Sequence, residues 1–350
     1  MSDAVKAAVA TVVDGGHLSL DAARGAMGAV MEGEATSAQL AALLVALRMR
    51  GETVDELAGF ATAMRDRVVR VDAPVGTIDV VGTGGDGSGT FNISTTAALI
   101  VAALGVPVAK HGNRAITSQS GSADVLETLG VRIDHDPESA GQAIRELGFA
   151  FLFALNYHPA MRHAGPTRRE IGVRTAFNLL GPLTNPAGAT RALIGVGVAS
   201  AAPRIAEVVA RLGTERTFVI HGDGVDELPL DDTGVLYDVG PEGIVRHEVL
   251  ATRLGFKRTP TSRLAGGTAH ENARLIEAVL NGESGARRDV VLLNAAAALL
   301  VAGEVDRLED GIDKAALGID SGLAAELLER LRAEHRAARA ASGAAATGKA

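Results

Sequence analysis

The sequence predicts an α/β protein in which a small all-helical domain joins a larger domain, whose mostly parallel central sheet is flanked by helices. Three observations carry that expectation. Residues 1–73 read as helices only. After Pro74, short β-branched runs alternate with helix-like segments, the pattern of a parallel α/β layer. The chain has 350 residues, enough for two domains of about 100–200 residues each.

The elements follow in order. Thr36-Ser37-Ala38-Gln39 fits a capping box and opens LAALLVALRMR, whose apolar positions recur at helical spacing. Gly51 ends that helix, and a second capping box, Thr53-Val54-Asp55-Glu56, opens LAGFATAMRDRVV. A connection this short makes an αα-hairpin. Beyond Pro74, TIDVVGTGG and VPVAKHGN each read as a strand that runs into a glycine turn. FAFLFAL (149–155), ALIGVGV (192–198) and TFVIHGDG (217–224) are further strand candidates, with a helix at Pro203 to Leu212. His158 to Leu180 is helical in pattern and can pack with the N-terminal helices, so that the chain crosses between domains more than once. No repeat of 20–50 residues is visible.

Composition excludes several classes of function. The absence of Cys removes disulfide scaffolds, thiolate zinc sites, iron–sulfur clusters and Cys nucleophiles. Ten aromatics (Phe 8, Tyr 2, Trp 0) and a net charge of −8 leave neither the stacking platforms nor the basic field of a nucleic-acid binder. No apolar run reaches the ~20 residues of a membrane span, and the first residues, MSDAVKAAVATVVDGGH, lack a basic n-region, so no targeting segment is expected. A cytoplasmic enzyme is therefore expected. The Ala-rich stretch 337–350 is expected to fray.

Gly82 to Thr95, GTGGDGSGTFNIST, follows a strand and precedes a helix. Gly82-x-Gly84-x-x-Gly87 matches a dinucleotide fingerprint, but Asp86 inside the loop would repel a pyrophosphate unless a cation intervened. The next strand ends in Lys110 and His111, where a ribose-binding acid should stand. No Lys follows the glycines, so it is not a Walker A loop either. The better physical reading is an anion cradle of backbone N–H groups at a helix start, with Asn92, Ser94 and Thr95 as side-chain donors or simple N-caps. Five glycines in eight residues, 82–89, exceed the need of one cap.

The second loop, KHGNRAITSQSGSADVLE from Lys110, carries Lys110, His111 and Arg114 among hydroxyl and amide donors. It reads either as a second phosphate loop at the carboxyl edge of the sheet or as an ordinary solvated loop. The density of small donors favours the former. In IHGDGVDELPLDD, Asp226 and Glu227 are adjacent after a buried strand, with Asp223, Asp231 and Asp232 near. In a phosphate-binding protein such a pair suits Mg²⁺, which takes few protein carboxylates and completes its shell with substrate phosphates and water. The middle segment, ALNYHPAMRHAGPTRREIGVRTAFNLLGPLTNPAG, holds Arg168 and Arg169, either of which could grip a carboxylate or sit in a surface ion pair.

GTGGDGSGTFNIST, KHGNRAITSQSGSADVLE, RREIGVRTAFNLLGPLTNP and HGDGVDEL, in this order, closely resemble the anthranilate phosphoribosyltransferases, from the N-terminal helices to about residue 330. The combination is specific where no single piece is. The resemblance implies a helical domain of residues 1–73 plus about 158–184, and an α/β phosphoribosyl-binding domain of 74–157 plus about 185–336. It implies transfer of the phosphoribosyl group of PRPP to the amine of anthranilate, with release of pyrophosphate, in the second step of tryptophan biosynthesis from chorismate. Mg²⁺, in two ions, and a homodimer are further implications, with no nucleic-acid or membrane partner.

By position, the resemblance makes Gly82, Gly85, Asp86, Thr90, Asn92, Ile93, Ser94 and Thr95 PRPP-binding. Lys110, His111, Gly112, Asn113, Arg114, Ala115, Ile116, Thr117, Ser118 and Ser122 complete that site. Gly82, Asn113 and Arg168 match anthranilate contacts, and His111, Ala154 and His158 lie near the acceptor's approach. Ser94, Asp226 and Glu227 match metal ligands. Thr117 stands where a Ser is common, Gln119 where a basic residue is frequent, and Pro229 stiffens the loop after the acidic pair. No catalytic dyad is implied: anthranilate's amine is already neutral at pH 7, so positioning and electrostatics suffice. Alternative readings are a pyrimidine-nucleoside phosphorylase, a phosphoribosyltransferase with another aromatic acceptor, and a non-enzymatic phosphometabolite-binding regulator.

Overall fold

Seven strands form one sheet in the computed structural model, which describes residues 1–115, 119–222 and 224–347. They are β1 (Ile78–Gly82), β2 (Val108–Gly112), β3 (Phe149–Phe153), β4 (Arg191–Gly195), β5 (Arg216–His221), β6 (Thr233–Gly240) and β7 (Gly243–Leu250). The order across the sheet is β3-β2-β1-β4-β5-β6-β7. Strands β1 to β5 pair in parallel and coincide with the five runs read from the sequence. β6 and β7 add an antiparallel hairpin at one edge. That hairpin is not separated by the sequence reading, because β7 is solvent-exposed along most of its length and lacks an apolar run.

Alternation along the parallel strands divides the core. Ile78 and Val80 of β1, Leu193 of β4, and Phe218 and Ile220 of β5 face one cluster with α5 (Ile93–Ala103) and the Ala286–Ala302 helix. Val81, Ala192, Ile194 and Val219 face the other way, into a cluster that continues through the Ala202–Leu212 helix to the N-terminal helices. Both sheet faces are thus covered, as parallel strands require.

The helical layer is α1 (Asp3–Val13), α2 (Leu20–Met31), α3 (Ser37–Arg50) and α4 (Val54–Arg65). Both capping boxes form: Thr36 with Gln39, and Thr53 with Glu56. Gly51 closes α3 at φ 90, a backbone angle that only glycine adopts cheaply. Glu56 is fully buried and accepts from the amides of Leu18 at 2.9 Å and Thr53 at 2.8 Å, and from Arg50. Replacing Thr53 by Ala removes the cap to Glu56 and is expected to cost about 1 kcal/mol, read from the urea midpoint. The Met161–Ile171 helix packs on α2 and α3, and the Phe177–Leu180 helix on α4. At the other end of the chain, the Leu323–Thr347 helix runs on through the Ala-rich stretch for which fraying is expected.

From β1 the chain winds outward through β2 to β3, then returns to the other side of β1 to lay down β4 and β5. Strand order therefore reverses between β1 and β4. Open α/β sheets bind ligands in the crevice that this reversal opens at the carboxyl ends of the strands.

Candidate active site

Gly82 ends β1 and Gly195 ends β4, and the two are paired across the reversal. Neither is there for its backbone angle. Asp226 lies over both: a Cβ at Gly82 would overlap the Asp226 carboxylate, and one at Gly195 would overlap its carbonyl oxygen. Glycines 84, 85, 87 and 89 differ, since all have φ between 62 and 75 and shape the loop itself. They are solvent-exposed. Within the loop, Asp86 accepts from Ser88 through its amide at 3.1 Å and its hydroxyl at 2.8 Å, and Ser88 meets the Thr90 hydroxyl at 3.2 Å.

The helix start after this loop is not capped by Asn92, whose side chain makes no cap bond. Asn92 instead donates to the Ser120 carbonyl at 3.3 Å and accepts from Asn272 at 2.9 Å. Asn272 is buried at 2% exposure and also accepts from the Gly267 amide at 2.8 Å. Asn92 thus ties the first loop to the second, and Asn272 holds Asn92 in place, a role with no signal in the sequence. Ile93 is core. The Ser94 amide donates to Glu227 Oε1 at 3.1 Å, and the buried Thr95 hydroxyl has no protein partner.

The acidic pair arrives on the loop after β5. The Gly84 amide donates to Asp226 Oδ2 at 2.8 Å. Burial, then the neighbouring Asp86 charge, pushes the Asp226 carboxyl up. Burial and Asp226 push Glu227 up further, with Lys110 opposing. Crowded carboxylates that resist ionisation mark a place where a cation would relieve the repulsion. Asp226, Glu227 and the Ser94 position therefore fit a divalent ion. No three acidic or imidazole groups form a ready-made cage among the described residues. One or two carboxylates completed by substrate oxygens is the usual Mg²⁺ arrangement.

Two cations of the second loop stand differently from the sequence expectation. Lys110 is 1% exposed, and its ammonium donates to the Val80 carbonyl under the loops. Its charge faces Asp79, Glu227 and Asp226 from inside the sheet. Arg114 is neutralised: it bonds Asp124 at 3.0 Å and Glu127 at 2.8 Å and lies over the Phe153 ring. Both acids belong to the helix that follows the loop, so Arg114 is not free to meet a phosphate as the resemblance implies. Asp124 also accepts the Ala115 and Gly121 amides at 2.9 Å each, which fixes these two residues to the start of the helix. The Asn113 side chain accepts from the Arg114 amide at 2.8 Å. Gly112 ends β2 against Phe151, and Ser122 opens the Ser122–Thr128 helix. Ile116, Thr117, Ser118 and Asp223 lie outside the described residues.

On the side of the helical layer, His111 and His158 stand with ring centroids 5.2 Å apart. Both are buried, and each has an Nε2 with no protein partner. His111 Nδ1 lies 3.1 Å from the Gly181 carbonyl. Burial lowers His111 to about 3 and His158 to about 4, so both rings are neutral at pH 7. Arg168 lies over Phe177 at 4.8 Å, pairs with no carboxylate among the described residues, and has its guanidinium pKa lowered by burial. A desolvated cation without a counter-ion suits an anionic ligand. Arg174, not singled out by the sequence, donates to the Gly85 carbonyl and so links the segment after the Met161–Ile171 helix to the glycine loop.

Residues 75–325 match the family model described as glycosyl transferase family, a/b domain, and residues 6–68 the model described as its helical bundle domain. The anthranilate phosphoribosyltransferase of Pelotomaculum thermopropionicum is 51% identical over 330 residues, covering 93% of this chain and 95% of that one. That of Rhodopseudomonas palustris is 48% identical over 334 residues, covering 95% and 98%. The crystal structure of the Thermus thermophilus enzyme superposes with a TM-score of 0.89 at 46% identity, over 96% of this chain and 100% of that chain. The Saccharomyces cerevisiae enzyme in complex with PRPP and Mg superposes with a TM-score of 0.88 at 26% identity, over 96% and 99%.

Proposed function

The chain belongs to the anthranilate phosphoribosyltransferase family, and on that premise we propose that the crevice between β1 and β4 is where its two substrates meet. The reaction transfers the phosphoribosyl group of PRPP to the amine of anthranilate and releases pyrophosphate. One observation carries the reading of the site: a glycine cradle stands at the sheet reversal directly beside a buried acidic pair.

The exposed backbone of Gly85, Gly87 and Gly89 offers N–H groups to phosphate oxygens. The Thr95 hydroxyl is a further free donor there. Asp226, Glu227 and Ser94 would hold Mg²⁺, in two ions. The metal supplies neutralisation of the charge that develops on the leaving pyrophosphate. The chain's own part is positioning. Lys110 buffers the acidic pair from below, and Asn113 and Ser122 flank the phosphates. Arg168 takes the anthranilate carboxylate, with Gly82 and Asn113 beside the ring. The neutral His111 and His158 line the acceptor's approach and add no charge that would hold it back.

Residues 1–73 and about 158–184 are proposed to move as one unit against the rest. Two neighbouring anchors support a hinge near Thr184. Arg65 of α4 donates to the Leu183 carbonyl at 2.6 Å. Asn185 donates to Asp79 at 2.7 Å and to the Ala109 carbonyl at 2.8 Å, both in the sheet. A homodimer in the cytoplasm completes the reading. No helix among the described residues is long and apolar enough to cross a membrane.

The direct test is the fall of anthranilate fluorescence on mixing enzyme with PRPP and Mg²⁺, each omitted in turn. Turnover of thymidine with phosphate instead would establish the phosphorylase alternative. Arg168→Ala is expected to raise the anthranilate KM about 10-fold to 100-fold, the worth of a charge-assisted bond, with the PRPP KM nearly unchanged. Equal rises in both would remove the assignment. With His111 and His158 neutral down to acid pH, the anthranilate KM is expected to stay flat between about pH 6 and 8, and an inflection lost in His158→Asn would contradict it.

A further inference from the structure

Asn294 takes no part in the substrate contacts described above. It interrupts VVLLNAAAALLVA in the Ala286–Ala302 helix, where every residue from Val290 to Leu299 is buried. The Asn294 side chain is 0% exposed. A carboxamide at such a depth is costly unless its polar atoms are satisfied. Asn294 Nδ2 donates to the Val290 carbonyl at 2.9 Å and to the Leu228 carbonyl at 3.0 Å. Its Oδ1 accepts from the Leu228 amide at 2.9 Å. The Val290 bond stays within the helix. The other two grip both backbone groups of one residue, 66 positions away in the sequence.

Leu228 directly follows Asp226 and Glu227, and its own side chain is 0% exposed in the core. The residue is therefore held at three points: amide, carbonyl and side chain. The loop needs such holding. Two adjacent carboxylates that repel each other would gain by swinging toward water, and nothing covalent prevents it. We infer that Asn294 is a positioning residue for the acidic pair: by clamping Leu228 it fixes Glu227 against the Ser94 amide and Asp226 over Gly82 and Gly195. This rests on the reading of Asp226 and Glu227 as metal ligands. It also explains an asparagine where the surrounding helix would otherwise call for alanine or leucine.

Mn²⁺, followed by electron paramagnetic resonance in the presence of PRPP, is the probe. The proteins are the full-length chain, Asn294→Leu, Asn294→Ala and Glu227→Gln. Both Asn294 variants are expected to bind Mn²⁺ about 10-fold more weakly or worse, as is usual when a ligand loses its supporting partner. The Mg²⁺ concentration for half-maximal rate should rise by the same factor, while the anthranilate KM at saturating Mg²⁺ changes less than about twofold. Mn²⁺ affinity unchanged in Glu227→Gln would overturn the metal reading itself. Weakening in Glu227→Gln, with affinity unchanged in a folded Asn294 variant, would overturn the positioning role alone. Hydrogen exchange on the unaltered enzyme decides independently of variant folding. The Leu228 amide is expected to exchange as slowly as the amides of β5 without metal, and exchange at loop rates would overturn the clamp.

Discussion

Gly195→Ala should nearly abolish turnover while leaving a folded protein. The added methyl group would occupy the place of the Asp226 carbonyl oxygen, and it would also press on the Asp226 Cβ at 3.1 Å. Gly195 cannot retreat, because it is the last residue of β4, paired with Gly82 on one side and Ile220 on the other. Its carbonyl is taken by the Thr83 amide at 2.8 Å. The loop carrying Asp226 must therefore move. Overpacking of this kind costs about 1–3 kcal/mol of stability. The functional loss is larger, because a shift of about 1 Å at groups that position a reaction can cost 10²-fold. Thermal melting and single-turnover rates separate the two. A variant with wild-type rate would mean that Asp226 can be displaced without consequence and would remove it from the site. Gly84→Ala is the useful contrast: its Cβ meets nothing within 4 Å, but its φ of 62 is unfavourable for alanine. Strain there falls on the glycine loop rather than on the acidic loop.

That contrast bears on what the sequence can reveal. Surplus glycine marks out the loop at 82–89 in the sequence, where the count itself is the signal. Gly195 gives no such signal: within ALIGVGV it reads as one more strand residue, and only the packed structure shows the carbonyl that excludes a side chain. The five parallel strands were legible because both their faces are buried, so apolar residues dominate each run even where Asp79, Lys110 or His111 interrupts it. β7 was not, because it is an exposed edge. The two capping boxes were legible because their signature lies within four residues. Asn272 and Asn294 were not, since their meaning depends on partners 180 and 66 positions away. Arg114 shows the opposite failure. Its charge is plain in the sequence, but its neutralisation by Asp124 and Glu127 depends on where the Ser122–Thr128 helix lies against it.

Glu227→Gln and Asp226→Asn should each lower the rate about 10²-fold to 10³-fold at moderate Mg²⁺, the scale set by loss of one preorganised electrostatic contact. The two should also move stability in the direction opposite to activity. Without metal, Glu227 is a carboxylate held 7% exposed beside another carboxylate, with one amide and the Lys110 charge as compensation. Glutamine keeps its shape and its acceptor for Ser94 but carries no charge, so the metal-free variant is expected to melt higher than the unaltered chain. Asparagine at 226 likewise keeps an acceptor for the Gly84 amide and ends the repulsion with Asp86. Adding Mg²⁺ and PRPP should then raise the melting temperature of the unaltered chain more than that of either variant, because ligand binding stabilises only in proportion to its affinity. If both variants melt lower without metal, the carboxylates are structural and the loss of rate follows from a loosened loop. A higher melting point joined to a lost Mg²⁺ response is the signature of residues kept for charge. Such residues make the empty site less stable, and the cost is recovered only when the metal and the pyrophosphate arrive together.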